Sequence, residues 1–264
     1  MTVTAFVGGI GILGPGLSNW PQAAGVLTGR QPYVAAATVL PIPEMLPPAE
    51  RRRTGRVVKV AMGVASEALL SADADVAQIA SVFSSSGADG QTCHEICQAL
   101  ALPAREVSPT RFSNSVHNVA SGYWSIATGS QAPSNVLCAF DASFGAGLLE
   151  SMVQASVDQR PVLLVAYDTE YPPPLHLNRP IPDSFGVAML LTPEKSLSSL
   201  ARIEAAITAE ACNTMADSQL EALRRAIPAA RALPLLRLLA AGQGGRAILE
   251  YLDVSRIAVQ IDPC

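Results

Sequence analysis

Residues 112–151 constrain the fold of this chain more than any other stretch. They read FSNSVHNVASGYWSIATGSQAPSNVLCAFDASFGAGLLES, which predicts a loop, an amphipathic helix, a Gly/Pro turn, a short apolar strand and a second helix. The strand expected at residues 136–140 runs directly into a helix that starts with Asp141. Because the free N–H groups and the dipole of a helix start favour negative charge, residue 141 occupies a position suited to a nucleophile.

The helix expected over residues 142–156 contains Gly145, Ala146 and Gly147 near its start. Glycine lowers helix propensity, but these small residues allow other backbone segments to pack closely. We therefore expect a buried central helix directly after residue 141.

The rest of the chain alternates apolar runs with helical patterns. We expect a core-facing helix at residues 54–71 and strands at residues 2–14, 76–86, 161–168, 185–192, 200–211 and 257–261. This alternation predicts an α/β fold with a mostly parallel sheet covered on both faces. Residues 219–251 are rich in Ala, Leu and Arg at helical spacing, so residues 212–264 should form a helical tail with a final strand, packed on an N-terminal domain of residues 1–211.

Composition narrows the functional classes. A chain of 264 residues with 49% hydrophobic and 15% charged residues can bury a substantial core. No run approaches the roughly 18 apolar residues that span a bilayer, and no basic segment precedes the first apolar stretch, so we expect neither a membrane span nor a signal peptide. The net charge of −4 predicts no nucleic-acid surface, and the five cysteines should stay reduced in the cytoplasm.

A G-x-G-x-x-G match at Gly9, Gly11 and Gly14 follows the first expected strand. A dinucleotide site also needs a helix start after the glycines and an acid about 20 residues further on. The sequence continues instead with Pro15 and Gly16, and no acid stands near residue 31. The match therefore predicts a strand and a glycine turn, and we expect no cofactor.

A second short motif, Cys93-His94 with Cys97, invites a metal interpretation. A closed zinc site needs four ligands, and no second Cys/His pair stands at a suitable distance in the sequence. We expect free thiols on a packed helix and no metal site.

The segment at residues 112–151 resembles the nucleophile region of the β-ketoacyl synthases of the thiolase superfamily. In that family an Asn-containing helix, a Gly-x-x-x-Pro-Ser turn and an apolar strand lead to the active-site cysteine. The residues that match this pattern without a gap are Asn118, Gly122, Gly129, Pro133, Ser134 and Ser143. The resemblance extends over residues 2–211 and implies a thiolase-like half fold.

Two departures from the family pattern concern catalysis. Asp141 occupies the position of the catalytic cysteine, and a carboxylate cannot form the acyl thioester that condensation requires. The family also uses two histidines from its C-terminal half, whereas this chain has no histidine after His176. The resemblance therefore implies a pseudo-enzyme with no catalysis of its own, like the chain-length factors of type II polyketide and aryl polyene systems.

The resemblance also assigns candidate residues. A pocket or vestigial site would contain His117, Asn118, Asp141, Ser143 and Phe144. The cognate β-ketoacyl synthase would form a heterodimer with this chain through the stretch before residue 141, where the candidate contact residues are Phe112, Tyr123, Trp124 and Val136.

A cluster of arginines at residues 51–53 precedes the helix expected at residues 54–71. Such a cluster is more often a solvated helix start or part of an ion-paired interface than a ligand site. If the resemblance to β-ketoacyl synthases holds, the cluster is also a candidate part of a surface groove that binds the acidic helix of an acyl carrier protein.

Two other functional hypotheses remain open. The chain could be an autonomous hydrolase or decarboxylase that uses Asp141 with His117, although Asp141 could equally be the N-cap of its helix, since aspartate is among the best residues there. The chain could also be a small-molecule-binding α/β domain.

Overall fold

The computed structural model describes residues 2–70 and 75–264. In this part of the chain, eight strands form one sheet: β1 (Thr2–Leu13), β2 (Ala80–Ser84), β3 (Ser134–Leu137), β4 (Val162–Asp168), β5 (Phe185–Thr192), β6 (Ala201–Thr208), β7 (Gly245–Glu250) and β8 (Arg256–Pro263). The order across the sheet is β3-β2-β4-β5-β1-β6-β8-β7.

The described ranges also contain α-helices, some of which pack on the two faces of this sheet. They are α1 (Trp20–Leu27), α2 (Pro48–Arg51), α3 (Arg56–Leu70), α4 (Gly90–Ala101), α5 (Pro109–Asn114), α6 (Val119–Thr128), α7 (Ser143–Asp158), α8 (Leu175–Asn178), α9 (Ser218–Ala226) and α10 (Leu233–Ala241). Short 3-10 helices stand at Val76–Gln78, Phe140–Ala142 and Pro228–Ala232. No helix in the described ranges is long and apolar enough to cross a bilayer.

The sheet is mixed, which corrects the expectation of a mostly parallel one. β2 runs parallel to β3 and to β4, whereas every other neighbouring pair is antiparallel. Parallel neighbours need a crossover that carries the chain back along the sheet, usually as a helix. The connections at residues 169–184 and 193–200 contain at most the four-residue helix α8, so the chain cannot make such a crossover after β4.

One long strand, β1, joins the two parts of the sheet. β5 ends opposite Phe6 on one side of β1, and β6 begins opposite Val7 on the other side. Gly11 in this strand lies against α3: a Cβ there would stand 2.1 Å from the carbonyl oxygen of Val64. The glycine match therefore allows a helix to approach the strand, and β1 continues through Gly9 and Gly11 without a phosphate-binding turn.

The core has two layers of apolar side chains, one on each face of the sheet. On one face α3 and α6 pack against the sheet, and on the other face α1, α7, α10 and the 3-10 helix Pro228–Ala232 pack against it. The predicted strands at residues 2–14, 161–168 and 185–192 are confirmed as β1, β4 and β5. The predicted helix at residues 54–71 is confirmed as α3, although residue 71 lies outside the described ranges.

The helix after residue 141 is buried on one face only. Phe144, Leu148 and Met152 of α7 are fully buried against the sheet, whereas Val157 is 73% exposed. The tail also packs against the start of the helix, where a Cβ at Gly145 would stand 2.2 Å from the carbonyl oxygen of Glu250. The expectation of a buried central helix is therefore correct only for the face towards the sheet.

The tail contains two strands, where the sequence predicted helices up to residue 251 and one final strand. Gly242, with a φ of +58°, ends α10, and the chain then forms the hairpin of β7 and β8. The left-handed conformation that ends a helix is one that glycine adopts at little cost. Leu235 and Leu236 of α10 are fully buried in the same core as α7, so the tail extends both the sheet and its cover.

Candidate functional site

The carboxyl ends of β2, β3 and β4 lie side by side at one end of the sheet because these three strands run parallel. The carboxyl end of parallel strands is the usual location of sites in α/β folds, since the loops that leave the strands converge there. The loop after β2 contains Ser86, the turn after β3 contains Asp141, and β4 ends in Asp168. These three turns define the candidate site.

A sharp elbow connects β3 to α7. Phe140 adopts a φ of +51° and begins the 3-10 helix Phe140–Ala142. The hydroxyl of buried Ser143 holds this turn, because it accepts from the N–H of Ala139 at 3.0 Å and donates to the carbonyl of Phe140 at 2.7 Å. Ser143 thus fixes the backbone on which Asp141 stands.

Both carboxylate oxygens of Asp141 are bound by arginines. Oδ1 accepts from Nη2 of Arg179 at 2.7 Å, and Oδ2 accepts from Nη2 of Arg231 at 3.0 Å. Arg179 also stacks over the ring of Phe140, 3.9 Å from its centroid. The N-cap of α7 is Ala142, which makes no side-chain capping bond. Asp141 is therefore an ion-pair centre, and the helix-capping alternative is wrong.

The ion pairs continue into the tail. Nη1 of Arg231 lies 3.8 Å from Oε1 of Glu250, and the same carboxylate pairs with Arg224. Arg224 in turn binds Glu221 through two hydrogen bonds of 2.8 Å, and this contact lowers the pKa of Glu221 to about 2. Three arginines thus balance three carboxylates, and Asp141 lies within a network of no net charge.

Asp168 joins three segments at the base of the site. Its Oδ1 accepts from the N–H and the hydroxyl of Ser86 at 2.8 and 2.5 Å, and its Oδ2 accepts from the N–H of Ala229 at 2.8 Å. Burial raises the pKa of Asp168 to about 6, against these hydrogen bonds, which lower it. Sequence reasoning missed this residue as part of the site, and its only signal was an acid at the end of a fully apolar strand.

The outer edge of β3 has unpaired backbone groups. The carbonyls of Pro133 and Leu137 accept from the N–H groups of Ser81 and Ser85 on the side of β2. Because backbone groups alternate along a strand, Val136 directs its N–H and C=O away from β2. Neither group has a partner within residues 2–70 and 75–264. The strand predicted at residues 136–140 is thus an edge strand, formed by Ser134–Leu137.

The family model for the β-ketoacyl synthase N-terminal domain matches residues 19–242. The chain belongs to this family. No curated protein sequence matches it.

Three solved structures share the fold of this β-ketoacyl synthase-like chain. A chain of the complex of ketosynthase ApeO with its chain length factor ApeC from Xenorhabdus doucetiae is 20% identical, with a TM-score of 0.74, over 98% of this chain and 99% of that chain. The ishigamide ketosynthase/chain length factor is 13% identical with a TM-score of 0.73, over 99% of each chain. The AntDE:AntF complex of a type II polyketide acyl carrier protein and its ketosynthase is 11% identical with a TM-score of 0.75, over 100% of each. These likenesses establish the α/β thiolase-like fold.

The other predicted pocket residues of this β-ketoacyl synthase-like chain lie at the starts of two different helices. Ser143 and Phe144 are buried directly behind Asp141, whereas His117 and Asn118 stand at the start of α6. Nε2 of His117 is buried without a hydrogen-bond partner, and no hydrogen bond or ion pair joins His117 to Asp141 in the described part of the chain. The geometry therefore does not support a catalytic pair of these two residues.

Two of the predicted contact residues are part of this chain's own core. Tyr123 and Trp124 are 7% and 3% exposed and pack with α3 and the sheet. A partner cannot use them as surface anchors, which corrects that expectation. Phe112 on α5 is 68% exposed, and Val136 is half-buried on the free edge. Tyr123 and Trp124 are neighbours on α6, and both are buried because this helix contacts α3 as well as the strands β2 and β3.

A polar cleft of about 940 Å³ adjoins the loop after β4. Arg53, Arg56 and Arg111 line it, and each pairs with a carboxylate. Arg52 also lines the cleft and has no ion pair in the described ranges. Within those ranges no three His, Cys, Asp or Glu side chains are grouped so that they could hold a metal ion.

Proposed function

We propose that the chain is a non-catalytic subunit of the chain-length-factor type, which pairs with an active β-ketoacyl synthase in fatty-acid or polyketide-type biosynthesis, such as that of aryl polyene pigments. The observation that carries the proposal is the unpaired backbone of Val136 on β3, directly before the arginine-bound Asp141. One feature supplies a surface for a partner, and the other removes the nucleophile.

Asp141 is unsuited to catalysis in this position. A nucleophilic or basic carboxylate needs a free oxygen towards the substrate, but Arg179 and Arg231 bind one oxygen each. The nearest thiol in the chain, Cys138, stands three residues earlier, and its Sγ lies 3.4 Å from the carbonyl of Ser86. The subunit would therefore depend on the thiol of its partner for condensation.

The partner surface proposed here is the free edge of β3 with its apolar surroundings. An exposed strand edge offers unpaired N–H and C=O groups to another chain. The α6 helix, which contacts β3, and the elbow that follows β3 both expose large apolar side chains, Ile126 and Phe140. Phe112 on α5 is a further exposed aromatic side chain in the stretch before Asp141. Such aromatic and aliphatic groups are typical anchors of stable interfaces.

The complexes in which similar structures occur support a ketosynthase partner. One neighbour is a ketosynthase with its chain length factor, and another is a ketosynthase with its acyl carrier protein. For this chain we place the acyl carrier protein at the polar cleft, where unpaired Arg52 would meet an acidic helix. In this proposal residues 1–211 supply the partner surface, residues 212–264 complete the core, and the complex works in the cytoplasm.

Reconstitution with the cognate ketosynthase tests this function. The chain alone should show no condensation of malonyl and acyl thioesters of the acyl carrier protein, whereas the co-purified complex should be active. Asp141→Ala in this chain should leave turnover by the complex within about twofold, because Asp141 contacts no reacting group. Turnover by the isolated chain that is lost on Asp141→Ala would overturn the proposal and favour the hydrolase or decarboxylase hypothesis.

A further inference from the structure

A cavity of about 980 Å³ lies on the α3 side of the sheet, apart from the residues of the candidate site. Its floor is formed by side chains of β1 and α3 that belong to the same core layer, including Leu13, Met62 and Leu69. Trp20 and Trp124 also line it, and residues 39–45 form its rim. A largely apolar cavity of this size with few polar groups is typical of small-molecule sites.

The rim is held in place by specific contacts. Arg51 donates from Nη2 to the carbonyls of Glu44 and Leu46 at 2.9 and 3.0 Å. Pro41 packs on the backbone of α3 at Gly63, where a Cβ would stand 2.6 Å from the proline Cγ. The cavity is thus preformed: the rim is fixed at both sides while Val39 remains 81% exposed at its mouth.

The charges around the cavity indicate what kind of molecule it can hold. The charged side chains that line it in the described ranges are Glu44 and Glu67. Glu67 uses both oxygens internally, since Oε2 accepts from the N–H of Ile12 at 2.9 Å and Oε1 from the N–H of Trp20 at 2.6 Å. A ligand carboxylate or phosphate would meet these two carboxylates and no lining cation, which disfavours anionic ligands.

We propose that this cavity binds a neutral, elongated apolar molecule, such as an aliphatic chain with an uncharged head group. The apolar floor would cover the chain, and Ser18 and Asn19 on the lining offer hydrogen bonds to a hydroxyl or carbonyl head. The site does not use Asp141 or the edge of β3, so it does not depend on the proposed function.

Binding of the neutral fluorescent probe N-phenyl-1-naphthylamine by the full chain tests this site. The probe should bind to one saturable site, and 1-dodecanol should displace it at a concentration about tenfold lower than dodecanoate at pH 8, because the fatty acid is charged. Absence of saturable binding, or equal displacement by the alcohol and the carboxylate, would refute the proposal.

Two variants locate the binding. Ser66→Phe places a ring in the cavity from the exposed side of α3 and should weaken probe binding about tenfold. Lys59→Phe on the same helix, outside the lining, should leave probe binding unchanged.

If Ser66→Phe does not fold, as judged by circular dichroism, Val39→Asp at the rim is the deciding variant, and it should weaken probe binding about threefold. Equal binding by these variants and the wild type would overturn the proposal. So would a Val39→Asp variant that loses the ketosynthase but still binds the probe as the wild type does, since the rim would then be a protein contact.

Discussion

The two outer strands of the sheet differ in whether the backbone groups on their outer side have hydrogen-bond partners. At one edge, Asn213 covers β7: its N–H donates to the carbonyl of Ile248 at 3.0 Å, and its side-chain oxygen accepts from the N–H of Ile248 at 2.6 Å. At the other edge, the N–H and C=O of Val136 on β3 have no partner in the described part of the chain. The chain caps the edge built by its tail at Ile248 and leaves Val136 unpaired at the edge beside the site, which is the arrangement expected of a subunit that pairs through β3.

Hydrogen bonds in the candidate site nevertheless connect the tail to the turns beside the open edge. Arg231 from the tail binds Asp141 after β3, and the N–H of Ala229 binds Asp168 after β4. The part of the chain beyond β6 therefore both caps β7 at Ile248 and fixes the elbow next to the open edge. This difference between the two edges can be tested in several ways.

The largest effect is expected at the helix behind the open edge. Trp124→Ala should lower the free energy of unfolding by about 3–5 kcal/mol, because it removes a large buried side chain from the core. Phe112→Ala should change it by less than about 0.5 kcal/mol, since the ring is mostly exposed. Urea unfolding of both variants measures this. Similar losses from both would show that α5 and α6 are not divided into surface and core as described.

Asp168 should give a pH-dependent contribution to stability. Its pKa is raised from 3.8 to about 6 on folding, so between these values the folded state binds more protons than the unfolded state. Stability from this group therefore falls as pH rises from about 4 to about 6, by up to about 3 kcal/mol.

Urea unfolding of the wild type and of Asp168→Asn at pH 4 and pH 7 isolates this contribution, because the other titrating groups are shared. The stability of the wild type relative to the variant should be lower at pH 7 than at pH 4. A difference that is the same at both pH values would show that burial does not raise the pKa of Asp168.

The ion pair between the tail and the elbow should contribute less. A double-mutant cycle with Asp141→Asn and Arg231→Gln should give a coupling free energy of about 1–2 kcal/mol, because the pair is only partly buried. Asp158 and Arg160, an exposed pair at 3.2 Å, provide the matched control and should show about 0.5 kcal/mol or less. Equal coupling in the two pairs would mean that Arg231 does not anchor the tail to the site.

The smallest change in stability is expected at the β7 edge, where Asn213 pairs with the backbone of Ile248. Asn213→Ala removes the acceptor of the Ile248 N–H and should lower the free energy of unfolding by about 1 kcal/mol. Asn135→Ala on the open strand serves as control, since this exposed side chain makes only a 3.3 Å hydrogen bond to Glu150 and its loss should be near zero. Denaturant unfolding in parallel compares the two, and an equal loss would contradict the capping role of Asn213.

The sequence predicted the parts of the molecule that local patterns determine. Continuous apolar runs marked β1, β4 and β5, and the strand-to-helix spacing placed Asp141 at the elbow after β3. The arginines that bind Asp141 could not be found this way, because Arg179 and Arg231 stand 38 and 90 residues from it and no local spacing connects them.

Local sequence patterns also could not predict the directions of the strands or the burial of the aromatic residues on α6. The antiparallel pairs follow from connections that lack a crossover helix, and an apolar run does not carry this information. The strand β7, Gly245–Glu250, lies in an Ala/Leu/Arg-rich stretch and forms by pairing with β8 rather than from its own periodicity. Tyr123 and Trp124 were predicted at the surface, but packing of α6 on α3 buries both of them.

The most direct test of the central claim is co-elution of Val136 variants with the cognate ketosynthase in size-exclusion chromatography. Val136→Pro removes the N–H at the free edge while the bonds from Pro133 and Leu137 to β2 remain, and Val136→Ala keeps that N–H. We predict that the proline variant stays folded by circular dichroism but no longer co-elutes, whereas the alanine variant co-elutes as the wild type does. A folded proline variant that still co-elutes with the ketosynthase would contradict pairing through β3.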